Sequence, residues 1–237
     1  MKLGIIGAMQ EEIALLTAQL EHPVTSETAG SVFYEGTLHQ LPVVVVCSGV
    51  GKVNAALCVQ ILADLFQVTH IVNTGIAGSL DPQLDIGDIA VSTEAMYHDF
   101  LVGPFGYPRG QVPRMDVLAF PADAHLMALA QNACRSLEVP CQTGRIVSGD
   151  QFVCSDAVKQ DIIDGCGGIC VEMEGAAIAH AAYRNKIPFV ILRAISDKAN
   201  HTSEMDYPTF ETQAAHHCAS ITACLARELA THPEEER

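Results

Sequence analysis

The chain predicts an α/β fold, a single domain of three αβα layers around a central mixed β-sheet. Two observations carry this. Short apolar runs, several of them β-branched, alternate from end to end with stretches whose apolar residues recur at helical spacing. No linker, internal repeat or low-complexity segment interrupts the 237 residues. A domain of that length buries roughly three quarters of the surface of its unfolded chain, so its core needs no staple. The domain is placed at residues 1–230, with 231–237 as a polar tail.

The elements follow in order. Residues 2–7 (KLGIIG) read as the first strand, and a helix runs from 11 to about 19. Residues 43–47 are too continuously apolar for a half-exposed strand and are expected to be buried on both faces. Residues 52–66 have helical spacing. Ile71 and Val72 open another buried strand, expected to end at Asn73-Thr74-Gly75 and to give way to a loop. Residues 86–91 and 142–147 are strand candidates, with an amphipathic helix over 122–137 between them. Residues 169–172 form a short strand running into a helix from about 174 to 185, and 188–195 is the last strong strand. Pro208 suits the first turn of a closing helix that continues to about 229. The tail, 232–237, is expected to fray.

Composition narrows the function classes. With 49% hydrophobic and 17% charged residues the chain is an ordinary globular protein. Its net charge of −15 repels phosphate backbones and anionic lipid, so neither nucleic acid nor a membrane surface is an expected partner. The nine cysteines contain no C-x-x-C pair and sit mostly in apolar runs. They read as buried free thiols of a reducing compartment. No leader pattern and no apolar run of membrane-spanning length is present, which places the protein in the cytoplasm.

In sheets of this kind ligands collect at the carboxyl ends of strands, so the polar residues there are the candidates. Gly7 to Glu12 (GAMQEE) combines small residues, which let backbone approach a ligand, with Glu11 and Glu12 where a helix begins. Those acids serve a ligand or simply favour the helix N-terminus. A G-x-G-x-x-G fingerprint is absent. Asn73 to Gly78 (NTGIAG) cradles an anion or makes a tight turn, and lacks the Lys and Ser/Thr of a P-loop. Glu172-Met173-Glu174 places two acids at a strand end. A carboxylate there can accept two hydrogen bonds from the vicinal hydroxyls of a ribose, or the pair is a helix-start feature. Alternation puts Arg193, Ile195 and Asp197 on one face of the last strand. Asp197, with Ser196 beside it, is a candidate general acid or a cap. His98 falls in a loop and His216 and His217 in the last helix. Neither zinc spacing nor a G-x-S-x-G elbow occurs, so no metal or cofactor is expected.

Nine motifs in register resemble the bacterial 5′-methylthioadenosine/S-adenosylhomocysteine nucleosidases of the purine nucleoside phosphorylase superfamily. They are GIIGAMQEE at the start, SGVGKVNAA from Ser48, NTGIAG from Asn73, GDIAVS from Gly87, His98-Asp99, Phe105 to Tyr107, SGDQF from Ser148, VEME from Val171 and RAISD from Arg193. The match runs from residue 1 to about 230. It implies a nucleoside phosphorylase-like fold and hydrolysis of the adenine–ribose bond of methylthioadenosine, S-adenosylhomocysteine and 5′-deoxyadenosine, a step of methionine salvage and methyl-cycle clearance. By resemblance Glu12 is the base that activates water, held with Arg193. Met173 and Glu174, with Glu172 beside them, bind the ribose hydroxyls. Asp197, steadied by Ser196, protonates N7 of adenine, and Phe152-Val153 stacks on and hydrogen-bonds the purine. Met9, Val50, Phe105, Tyr107, Pro113 and Tyr207 match positions around the 5′-alkylthio group. Part of that lining comes from a neighbouring subunit in the family, which implies a homodimer.

Phosphorylases of the superfamily build an anion site from arginines and a serine or threonine. No arginine precedes Arg109, and Ile76 stands where the family commonly carries a serine. An isoleucine would desolvate phosphate without bonding it, which favours water as nucleophile. Two alternatives remain, a futalosine or aminofutalosine nucleosidase with the same catalytic set and a non-catalytic nucleoside-binding homologue.

Overall fold

The computed structural model describes residues 1–231, Met205 by its backbone alone. The chain begins with β1 (Leu3–Gly7) and α1 (Gln10–Ala18), then passes through a hairpin of β2 (Glu21–Thr28) and β3 (Ser31–Leu38) into β4 (Leu41–Cys47). Helix α2 (Lys52–Asp64) leads to β5 (His70–Ser79) and β6 (Ile89–Tyr97), and the two-residue β7 (Phe120–Pro121) precedes α3 (Ala124–Ser136). Then come β8 (Cys141–Ser148), α4 (Asp156–Cys166), β9 (Cys170–Glu172), α5 (Gly175–Asn185), β10 (Phe189–Asp197) and α6 (Ser203–Thr231).

The ten strands form one mixed sheet. Its open half is β1 flanked by the parallel β4, followed by the antiparallel β3 and β2. The other half closes on itself. β5 pairs with β10, β10 with β6, β6 with β8 and β8 with β9, and β9 returns to β5 at Gly78 and Ser79. Alternation along the strands feeds two cores. Ile5, Val43, Val45 and Leu192 face α1, α3 and α6, whereas Ile6, Val44, Val46 and Ile191 face α2 and α5. A third cluster packs α4 against Met96, Val147 and Val171. These are the three αβα layers, with half of the middle layer rolled into a ring.

Several boundaries differ from the sequence reading. β5 does not stop at Gly75 but continues through the expected loop to Ser79, all ten residues buried. Low strand propensity at Asn73, Gly75 and Gly78 hides this, because pairing with β10 through Ala77 overrides it. β6 begins at Ile89 and extends to Tyr97, past the expected end at residue 91. Helix α6 opens at Ser203, so Pro208 lies inside it rather than in its first turn. The hairpin β2–β3 and helix α4 have no counterpart among the elements expected from the sequence. β2 (EHPVTSET) is almost wholly exposed and has no apolar alternation to reveal it. Thr231, assigned to the tail, is the last residue of α6, and 232–237 lie outside the described residues. All nine cysteines are free, six buried and Cys47, Cys141 and Cys154 half-buried. Among the described residues no helix is long and apolar enough to cross a membrane.

Candidate active site

The carboxyl ends of β1, β5, β9 and β10 converge on a cleft of about 580 Å³, mouth included, within the range of small-molecule sites. Glu12, Ile76, Glu172, Glu174 and Asp197 form its inner wall with Ser196 and Met173. Met9, Val50, Phe152, Val153 and Tyr207 line it further out.

Glu11 and Glu12 separate at the start of α1. Glu11 is exposed, while Glu12 turns inward and is buried. One Glu12 oxygen accepts the N–H groups of Ala8 (2.6 Å) and Met9 (3.1 Å), and the other accepts that of Ile76 (3.1 Å). Burial pushes this carboxyl above the ordinary glutamate range, against the pull of the Arg193 charge and the three N–H donors. β5 can pass so close only because residue 75 is glycine. A Cβ there would lie 2.5 Å from Glu12 Oε1 and would overlap Arg193 Nη1.

Arg193 is fully buried behind this wall. Its Nη2 donates to Asn73 Oδ1 (2.7 Å) and to Glu172 Oε2, and lies 3.7 Å from Glu174 Oε2. Burial alone would weaken its charge, but Glu172, Glu12 and Glu174 together hold its pKa above the ordinary value. Glu172 spends both oxygens inside the protein, on Arg193, the Ser148 hydroxyl and the N–H groups of Glu174 and Gly175. Glu174 is freer. One of its oxygens accepts Gly51 N–H (2.8 Å), and burial plus the neighbouring Glu172 charge raise its pKa to about 7.

Asp197 is held differently. Its Oδ2 accepts the Ser196 hydroxyl (2.9 Å), and its Oδ1 accepts Ala199 N–H (2.7 Å) and the Ser203 hydroxyl (2.6 Å). The adjacent Lys198 points away, to Leu84 O (2.6 Å) and Asp85 Oδ1 (2.7 Å). At the apolar end Phe152 and Tyr207 meet edge to face at 5.5 Å, and the Tyr207 hydroxyl lies 3.4 Å from Met9 Sδ.

The family model of the phosphorylase superfamily matches residues 2–227. The 5′-methylthioadenosine/S-adenosylhomocysteine nucleosidase of Shewanella halifaxensis is 39% identical over 231 residues, covering 97% of this chain and 100% of that one. The chain belongs to this nucleosidase family. A nucleosidase of the family from Neisseria meningitidis, solved with methylthio-immucillin-A, is 36% identical with a TM-score of 0.94, covering 96% and 99% of the two chains. The futalosine hydrolase of Helicobacter pylori shares the fold at 31% identity and a TM-score of 0.92, covering 96% and 98%.

Of the residues that the nucleosidase resemblance singles out, four do not line the cleft within one chain. Arg193 stands behind the carboxylates rather than beside a ligand. Phe105 is 79% exposed, and Tyr107 and Pro113 belong to the same surface segment, which follows β6 away from the cleft. Sequence reasoning missed the supports: Ser148 and Asn73 as anchors of Glu172 and Arg193, and Ser203 as an anchor of Asp197. A serine six residues beyond an aspartate carries no signal until the turn between them is built.

Proposed function

We propose that this chain hydrolyses the N-glycosidic bond of 5′-methylthioadenosine, S-adenosylhomocysteine and 5′-deoxyadenosine, releasing adenine and the 5′-substituted ribose. The observation that carries this reading is the placement of Glu12, Glu174 and Asp197 around one cleft whose other end is apolar. Breaking the bond builds positive charge on the ribose and negative charge on the purine. Asp197 delivers a proton to N7 of adenine and so relieves the second. The glutamates stabilise the first. Glu174 and Met173 bind the ribose hydroxyls, and Glu12 takes a proton from the attacking water. Burial raises its pKa, which makes its carboxylate a stronger base than that of an exposed glutamate. Phe152 and Val153 hold the purine, and Met9, Val50 and Tyr207 receive the 5′ substituent.

Water rather than phosphate is the nucleophile because the one arginine near the wall is enclosed by Glu172, Glu174 and Asn73 and presents no face to the cleft. Ile76, in the wall itself, offers an anion no hydrogen bond from its side chain. Adenine release from methylthioadenosine, followed in phosphate-free buffer and again with phosphate, tests this. Equal release in both supports hydrolysis, and release that requires phosphate overturns it. Futalosine and aminofutalosine in the same assay separate the nearest alternative, and loss of turnover with retained affinity in Asp197→Asn separates an enzyme from a binding protein.

The working form in this reading is a cytoplasmic homodimer. Exposed Leu101 and Phe105, with Val53 and Leu57 on α2, give a second copy an apolar surface to cover. Phe105, Tyr107 and Pro113 would then complete the partner's 5′ pocket. Sedimentation of the wild type against Phe105→Glu measures this; a wild-type monomer with full activity overturns it.

A further inference from the structure

Helix α4 starts three residues after Val153 and has no part in the chemistry described so far. Lys159, in its first turn, reaches away from the helix to two backbone carbonyls, Ser79 O at 2.9 Å and Lys198 O at 2.7 Å. Ser79 ends β5, and Lys198 follows Asp197 directly. One turn earlier Asp156 Oδ2 meets His201 Nδ1 at 2.6 Å, so α4 grips the segment beyond Asp197 twice. That segment stores strain. Ala199 adopts φ +50°, a left-handed conformation costly for a residue with a Cβ, and it is fully buried. Its N–H is a donor to Asp197 Oδ1. Gly78 leaves the room underneath, since a Cβ there would lie 2.9 Å from both Asp197 Oδ1 and Ala199 Cβ. Burial and the nearby Lys198 charge both work against the Lys159 ammonium, so its place is costly and is offset by the two carbonyls it binds.

We propose that Lys159 is a positioning residue for the proton donor. By tying the ends of β5 and β10 to the first turn of α4, it sets the separation between the purine segment at 151–153 and the Asp197 carboxyl. The inference rests on Asp197 as the group that protonates N7. Lys159 touches neither substrate nor the glutamate side of the cleft, so its loss impairs leaving-group protonation and spares the rest of the reaction.

The test compares two substrates with one sugar. Methylthioadenosine needs its purine protonated. The 4-nitrophenyl glycoside of 5-methylthioribose does not, because its leaving group departs as a stable anion. Lys159→Met, which keeps the apolar stem, should lower kcat on methylthioadenosine about tenfold to a hundredfold with KM changed by less than about threefold. On the nitrophenyl glycoside its kcat should stay within about twofold, and Lys159→Arg, which keeps donors for both carbonyls, should recover most of the loss. Lys159→Gln replaces the methionine variant should that one fail to fold. Equal losses on both substrates, or an unchanged kcat on methylthioadenosine, overturn the proposal. A wild type that releases no adenine at all fails the nucleosidase reading instead, and the two failures are thereby distinct.

Discussion

On the glutamate side of the cleft, Glu12, Glu172 and Glu174 surround one fully buried guanidinium, whereas Asp197 across the cleft is bonded by two serine hydroxyls and a backbone N–H and by no cation. The two sides thus bury carboxylates by different means. Around Arg193 one cation faces three carboxylates, so each protonation depends on its neighbours, and burial first and then the Glu172 charge raise Glu174 to about 7. Around Asp197 the backbone is bent into a strained turn so that dipoles meet the carboxyl. Both sides serve the reaction, but Arg193 is expected to matter first for stability and Asp197 for chemistry, and the contrast can be broken in four places.

The largest effect is expected at Asp197. Asp197→Asn should cost about 10²–10⁴ in kcat while adenine affinity, measured by calorimetry, and Tm stay near wild type. A large fall in Tm would make the Asp197 side structural as well. Next comes Arg193→Met, which leaves three buried acids without their cation and should destabilise the fold by about 3–5 kcal/mol in urea titration. Unchanged stability would show that the glutamates protonate at no cost. Ser203→Ala removes one of three hydrogen bonds to Asp197 and should lower kcat about tenfold at constant KM. An effect on KM instead would move Ser203 into substrate binding.

The smallest effect concerns Glu174. Its folded pKa of about 7 lies above the ordinary 4.5, so the folded protein holds this proton more tightly than the unfolded chain does. The group costs no stability below about pH 4.5, and its cost grows as pH rises towards 7 and is full above it. Glu174→Gln should therefore raise Tm by several degrees at pH 8 and leave it unchanged at pH 4.5. In the wild type kcat/KM should fall as pH drops through about 7, because the ribose hydroxyls need the carboxylate as acceptor. A Glu174→Gln variant with lower Tm at pH 8 would contradict the assignment.

The division between the two sides also marks what the sequence revealed. The segments that follow strand ends were legible, because ligands collect where the strands of an α/β sheet end: Asp197 closes β10, Glu174 stands two residues past β9, and Glu12 lies in the first turn of α1 just after β1. The acid pair at 11–12 was not resolved by pattern, since both suit a helix start. Only the passage of Gly75 beside Glu12 shows which one turns inward. Glu172 and Glu174 look equivalent in sequence, yet four internal hydrogen bonds engage the first, while the second accepts one backbone N–H and is left freer towards the cleft. The length of β5 was hidden because glycine and asparagine, poor strand formers, stand where two side chains need to cross it. Lys159 gave no signal, because its partners are backbone carbonyls far away in the chain.

The closed ring of strands bears on how this protein is made. β5 leaves the ribosome early, yet its partner β10, with Phe189 facing Ile71, is among the last strands synthesised. At usual translation speeds the interval is roughly 6–24 s. Throughout it, one edge of a strand containing Ile71, Val72 and Ile76 has no native neighbour and is open to pairing with other nascent chains. Asp197 arrives at the end of β10, so the last strand to enter the ring also delivers the proton donor. A chain cut short by even that one strand is left with an unpaired β5 edge and no acid.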